Sequence, residues 1–219
     1  MIVLRALGAL LSYPRGEVRQ ALPEIAEAIR TSRLIPPRQR EELFALIDEL
    51  GADDLLETEE RYVELFDRGR TASLHLFEHL HGESRDRGQA MVDLRRLYER
   101  SGYELSSREL PDYLPVVLEY LSCRDLQETR ELLGDCAHLL RRIGQSLIAR
   151  GSRHAAVLQA LLVIAGENPI DVAAVPRVME RAENLDRDWF EQPAFGAEPL
   201  AAGSPSASVP PSGNTPPSR

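Results

Sequence analysis

Lysine is missing from this 219-residue chain, so all 26 of its basic residues are arginine. That absence excludes Schiff-base catalysis and the phosphate-cradling loop that needs a lysine, although a compositional preference for arginine accounts for it without invoking function. Basic residues are also the minority. With 35 acidic residues the formal net charge is -9, which argues against a nucleic-acid binder, because such proteins need a basic face to displace counterions. An acidic chain suits a basic partner instead.

Cysteine is nearly absent too, with only Cys123 and Cys136. On one continuous helix their separation corresponds to roughly 20 Å of rise, beyond disulfide reach, so two reduced, core-type thiols are expected. No apolar run is long enough to span a bilayer. The apolar start from Met1 to Leu11 is interrupted by Arg5 and lacks a basic flank, so no signal peptide or membrane insertion is expected and the chain is expected to stay in the cytoplasm. Phosphate loops, dinucleotide-binding glycine patterns, nucleophile elbows and cysteine pairs for redox or zinc chemistry are all missing.

What is present is helical. Hydrophobic residues make up 43% of the chain and aromatics only 5%, and Leu, Ala, Glu and Arg dominate the first 190 positions, a mixture that favours helix. Apolar residues recur at helical spacing in four short segments: Val3 to Leu10, Val18 to Ile29, Leu43 to Leu50, and Leu55 to Phe66. The period continues through Leu74 to Leu80, Met91 to Tyr98 and Leu114 to Leu121, then through a longer helix from Leu126 to Leu147 and another from Val157 to Ala165. Helix punctuation falls at Pro14, Pro36-Pro37, Gly51 with Asp53, Gly69 with Ser73, Gly82 with Ser84, and Gly102. Ser106 and Glu109 have capping-box spacing. Short connections predict an all-α, single-domain antiparallel helical bundle over residues 1–192. A weaker helix is expected around Val172 to Arg187. From Pro193 the composition turns to Pro, Ala, Gly and Ser, which predicts a disordered tail over 193–219.

Residues 62 to 94 read YVELFDRGRTASLHLFEHLHGESRDRGQAMVDL, dense in charge, His and Gly for a bundle connection. Locally, a helix ends at Phe66, a turn passes through Asp67, Arg68, Gly69 and Arg70, and Thr71 or Ser73 starts a new helix. The pattern repeats with Leu80 closing a helix, Gly82 turning the chain and Ser84 capping the next. This block, together with the second block from Arg108 to Pro115 (RELPDYLP) and Leu118-Glu119-Tyr120-Leu121, resembles the NarJ/TorD family of assembly chaperones. The likeness is close over about residues 60 to 122 and looser out to about 165.

The resemblance implies an all-helical, non-enzymatic chaperone that holds the apo catalytic subunit of respiratory nitrate reductase in the cytoplasm before membrane attachment. It also implies recognition of that subunit's N-terminal peptide in a groove flanked by the two blocks. It further implies no permanently bound cofactor, the family's part being to support insertion of molybdopterin guanine dinucleotide into the client. The residues that the likeness carries over are Tyr62, Glu64, Phe66, Asp67, Arg68 and Arg70 in the first joint. Glu78, His79, His81, Glu83, Arg85, Asp86 and Arg87 follow in the second, and Glu109, Asp112, Tyr113, Glu119 and Tyr120 belong to the second block. Tyr113 stands where the wider class usually has His, which puts in question any role needing an imidazole there.

Glu64, Asp67, Glu119 and Asp112 are candidates to meet basic groups of a client peptide, and Phe66, Tyr113 and Tyr120 to form the apolar wall of a groove. A structural reading stands beside this: the Arg and Asp residues of both joints can tie the turns together as ion pairs and caps, Phe66, Phe77, Leu80 and Met91 read as core, and so does Tyr62 at helical spacing from Phe66. His75-Leu-Phe-Glu-His79 also spells the inverted zincin motif, two His a helical turn apart with a Glu base. A zinc metallopeptidase is therefore one alternative, and a generic helical peptide-binding scaffold is another.

Overall fold

The computed structural model describes residues 1–177 except Gly69, residues 82–84 and residues 106–108. Among them run eleven α-helices: α1 (Ile2–Leu11), α2 (Gly16–Gln20), α3 (Leu22–Thr31), α4 (Pro37–Ala52), α5 (Leu55–Tyr62), α6 (Leu76–His81), α7 (Arg85–Arg100), α8 (Leu114–Ser122), α9 (Leu126–Asp135), α10 (Ala137–Ala149) and α11 (Ala155–Ala165). A π-helical turn (Val63–Asp67) and a 3-10 turn (Arg70–Ala72) link α5 to α6, and a second 3-10 turn spans Val172–Ala174. The fold is all-α. No strand occurs among the described residues, only an isolated antiparallel bridge between His75 and Tyr113.

Helix α11 is apolar all round and is accordingly buried nearly all round. It packs against α10, α9 and α4. Its one buried polar side chain, Gln159, is satisfied at both ends: Oε1 accepts the Ile170 N–H at 2.7 Å and Nε2 donates to the Ile170 carbonyl at 3.3 Å. The helix stops at Gly166, whose φ of 89° is available to glycine at little cost. The Glu167 N–H then reaches back to the Leu162 carbonyl and the Gly166 N–H to the Val163 carbonyl, closing the last turn.

Helix α1 lies along α8 and α3. Leu4, Leu7 and Leu11 are fully buried there, each worth about 1.5–3 kcal/mol relative to exposure. The approach of α1 to α8 depends on Gly8, where an added Cβ would sit 3.3 Å from the Pro115 carbonyl oxygen and 3.5 Å from Leu118 Cβ.

Two helices expected to be continuous are broken. The segment from Val18 to Ile29 divides at Ala21 because Pro23 sits in the first turn of α3, a place it tolerates, whereas in a helix interior its ring would clash with the preceding turn. The expected long helix from Leu126 divides at Cys136, beside Gly134 and Asp135, both weak helix formers. Cys123 and Cys136 therefore do not share a helix; both are free thiols, but neither is a core residue, Cys123 being exposed at the end of α8 and Cys136 partly buried. Helix α4 runs through Gly51 to Ala52, and the next is started by Asp54, whose side chain accepts the Leu56 and Glu57 N–H groups. The Pro36-Pro37 start is found as expected. Gly82, Ser84, Ser106 and residues 178–219, including the expected tail and most of the helix expected to Arg187, lie outside the described residues.

Candidate functional site

The two sequence blocks fold against each other. The Leu76 N–H donates to the Asp112 carbonyl at 3.1 Å and the Leu114 N–H to the Leu74 carbonyl at 2.9 Å, forming the bridge between His75 and Tyr113. Asp112 is fully buried. Its Oδ2 accepts the Phe77 N–H at 3.0 Å, satisfying a first-turn donor of α6. Its Oδ1 lies 3.3 Å from His75 Nδ1, so that nitrogen carries the proton. The hydrogen bond to Asp112 outweighs partial burial and raises the His75 pKa above its ordinary value. Asp112 thus joins the blocks from within and faces no solvent from which to meet a client.

Tyr62 completes the joint. Its hydroxyl donates to the Leu11 carbonyl at 2.9 Å, which leaves the Tyr113 hydroxyl, also 2.9 Å away, as the donor to Tyr62. Burial, with lesser help from Tyr113, drives the Tyr62 pKa well upward. Its ring meets Phe66 at 4.7 Å and Tyr13 edge-on at 5.4 Å. The core reading holds for Tyr62 and Phe66, which are buried, but not for Leu80, which is 48% exposed on α6; Phe77 and Met91 are only partly buried.

Beyond Phe66 the helix continues as a π turn to Asp67 instead of ending. There the Arg68 N–H bonds five residues back to Val63 O at 3.0 Å. The turn keeps Leu65 and Phe66 inside and puts Glu64, Asp67 and Arg68 on the surface. Such single π turns are often associated with functional sites.

A groove of about 560 Å³ runs between α1 and α8, with Gly8, Ser12 and Tyr13 on one wall and Tyr113, Pro115 and Val116 on the other. At one end it shares Tyr13, Arg15, Glu109 and Tyr113 with a cavity of about 280 Å³ that reaches Asp67 and His75. Tyr13 also walls a cleft of about 260 Å³ floored by Leu56 and Val63 and edged by Glu60, Glu64 and Arg68. At the other end Arg5, Val116 and Glu119 lead to a pocket of about 250 Å³ beside Tyr103, Tyr120 and Cys123. Along this line carboxylates outnumber guanidinium groups eight to three. The arrangement offers apolar walls and a negative rim.

Of the sequence candidates, Glu64, Asp67, Arg68, Glu109, Tyr113 and Glu119 line this surface, and Tyr62, Phe66 and Tyr120 border it from largely buried positions. Arg70 is exposed at the 3-10 turn. Glu78, His79, Asp86 and Arg87 lie on α6 and α7 and do not line the groove: Glu78 accepts from Ser73 Oγ at 2.6 Å and from Arg87 at 3.2 Å, and His79 Nε2 donates to the Ser73 carbonyl at 2.8 Å. Asp86 is exposed on α7. Glu83 and the side chains of His81 and Arg85 lie outside the described residues. Arg5, Tyr13, Arg15 and Glu17 line the groove yet had no signal in the sequence, since nothing local shows that the end of α1 faces Tyr113.

The zincin geometry does not form. His75 lies before α6, paired with Asp112 and in the bridge to Tyr113, while His79 is inside the helix and turned to Ser73. Among the described residues no cluster of three or more His, Cys, Asp or Glu side chains is placed to hold a metal. No helix among them is long and apolar enough to cross a membrane.

Residues 15–158 match the family described as nitrate reductase delta subunit. The chain is 41% identical over 197 residues to the nitrate reductase molybdenum cofactor assembly chaperone NarJ of Escherichia coli (strain K12), covering 88% of this chain and 84% of the relative. It is equally similar, at 41% over 197 residues, to the probable assembly chaperone NarW of the same strain, with 88% and 82% covered. The probable NarJ of Bacillus subtilis (strain 168) is 32% identical over 162 residues, or 74% of this chain and 86% of the relative.

Proposed function

This chain belongs to the nitrate reductase delta subunit family, and we propose that it is a cytoplasmic assembly chaperone that binds the apo catalytic subunit of a respiratory nitrate reductase. The groove between α1 and α8 receives the N-terminal peptide of that subunit. Molybdopterin guanine dinucleotide is cargo for the client, inserted while the chaperone keeps it from the membrane.

The observation that carries this reading is the groove itself, because the two blocks meet at its edge and its chemistry suits one kind of ligand. Tyr13, Val116 and Pro115 offer apolar surface to one face of an amphipathic helix. Glu17, Glu109 and Glu119 around them favour basic residues on that helix's flanks. Rim charges of this kind act chiefly on encounter rate and salt dependence, while apolar contacts hold the complex.

Calorimetry with a synthetic peptide copied from the catalytic subunit's N-terminus tests the proposal at two salt concentrations. Saturable binding that weakens with salt is expected. Absence of heat with a folded protein sinks it.

A further inference from the structure

The side chain that bonds to the turn behind Asp67 lies in neither block. We infer that Arg150 is a positioning residue for client binding, holding the π turn of Val63–Asp67 in register. This inference rests on the peptide-binding reading above.

Had α5 continued as an α-helix, the Arg68 N–H would bond to Glu64 O, four residues back. It bonds to Val63 O instead, leaving Glu64 O without that partner. Arg150 supplies the replacement. Its Nη1 donates to Glu64 O and Leu65 O, both at 3.4 Å, and its Nη2 to Thr71 Oγ1 at 3.3 Å. One guanidinium therefore spans the π turn and the 3-10 turn that follows, a task its planar fork suits and an ammonium does not. Ser146, one turn earlier on α10, donates to the same Thr71 hydroxyl at 2.9 Å. The C-terminal turn of α10 thus grips both turns of the first block.

The consequence for recognition is one of register. Relaxing the π turn to α removes one residue's worth of slack, which swings Asp67 and Arg68 by up to about 100° about the helix axis, with the change taken up before the chain re-enters the core at Ala72 and Leu74. Asp67 and Arg68 follow the slack and would leave their places at the groove, whereas Tyr62 precedes it and would keep its bond to Leu11. Releasing Arg150 should therefore weaken the client peptide without melting the core. Holding the turn before the client arrives removes an ordering cost from binding.

The test uses the full chain and the synthetic N-terminal peptide of the catalytic subunit. In Arg150→Lys and Arg150→Gln, peptide affinity is expected to fall by about ten-fold, with the melting temperature within a degree or two of the parent. Amide exchange at Arg68 should speed up in both. Arg153→Ala, which loses a nearby charge paired with Glu49 at 2.7 Å, should leave affinity and Arg68 exchange unchanged. Thr71→Val, which removes the acceptor shared by Arg150 and Ser146 but leaves Arg150 bonded to Glu64 O and Leu65 O, should give a smaller effect of the same kind and serves if the Arg150 variants fold poorly. Parent-like affinity and exchange in folded Arg150 variants overturn the inference. If the parent binds no peptide, the binding reading fails and the clamp is judged on Arg68 exchange alone.

Discussion

The hydroxyls of Tyr62 and Tyr113 meet at 2.9 Å, and because Tyr62 gives its proton to the Leu11 carbonyl, Tyr113 is the donor between them. The bond is therefore asymmetric in its consequences. Leu11 lies in the last turn of α1, where carbonyls lack helical partners. Tyr62→Phe orphans this buried acceptor and is expected to cost about 1–3 kcal/mol, whereas Tyr113→Phe spares it and should cost about 1 kcal/mol or less. Urea denaturation of the two variants compares them; equal losses would contradict the donor assignment.

Asp112 and His75 predict an alkaline limb in stability. His75 is raised above its unfolded value by Asp112, so its contribution is complete below about pH 6.5 and is lost as pH climbs through the raised folded value. Asp112→Asn removes the pairing and one acceptor of the α6 cap. The gap in denaturation midpoint between parent and Asp112→Asn should be wider at pH 6 than at pH 9. A gap independent of pH would mean that His75 is not charged in the folded protein.

His154 works in the opposite direction. It is buried, packed edge-on against Phe66 at 5.4 Å, and burial, aided by Arg61, lowers its pKa to about 4. The unfolded chain then binds the extra proton as pH falls from about 6.5 to 4, with a loss on the order of 3 kcal/mol once the window is crossed. His154→Gln cannot titrate, so its stability should fall less than the parent's between pH 7 and pH 4.5 in guanidinium titrations. Parallel falls would place the acid limb elsewhere.

Gly8 sets how closely α1 approaches α8. Alanine gains up to about 1 kcal/mol of helix propensity, but its Cβ meets the Pro115 backbone carbonyl at 3.3 Å, and overpacking of this kind costs typically about 1–3 kcal/mol. The second effect should win. Gly8→Ala is expected to lower the melting temperature and to weaken peptide binding, because the two helices that wall the groove must part; a more stable variant would show that the interface yields freely.

The His75 and His79 pair should hold no zinc, since one side chain is spent on Asp112 and the other on Ser73. Elemental analysis of purified protein decides it. Stoichiometric zinc that disappears in a His75→Ala, His79→Ala double variant would revive the metallopeptidase reading.

Much of this was readable from local pattern. The stripes at Val3 to Leu10, Leu43 to Leu50 and Val157 to Ala165 became α1, α4 and α11 because an apolar face at helical period has one low-energy way to be buried. Of the residues in the two blocks, Glu64, Asp67, Glu109, Tyr113 and Glu119 come together along one surface. Breaks within a stripe were harder to read: at Ala21 and Cys136 the apolar period carries straight on, and the turn is decided by Pro23 and by the weak formers Gly134 and Asp135.

The sequence by itself determined the helical class, the acidic balance that suits a basic partner, and the family, because each rests on composition, period or motif and needs no knowledge of distant neighbours. Only the tertiary structure decided that Asp112 turns inward to cap α6, that Tyr13 and Arg15 complete the groove, and that Arg150 reaches the π turn. Those relationships join residues 35 to 100 positions apart, and a hydrogen bond or a groove wall between such residues exists only once packing has brought them within a few ångströms.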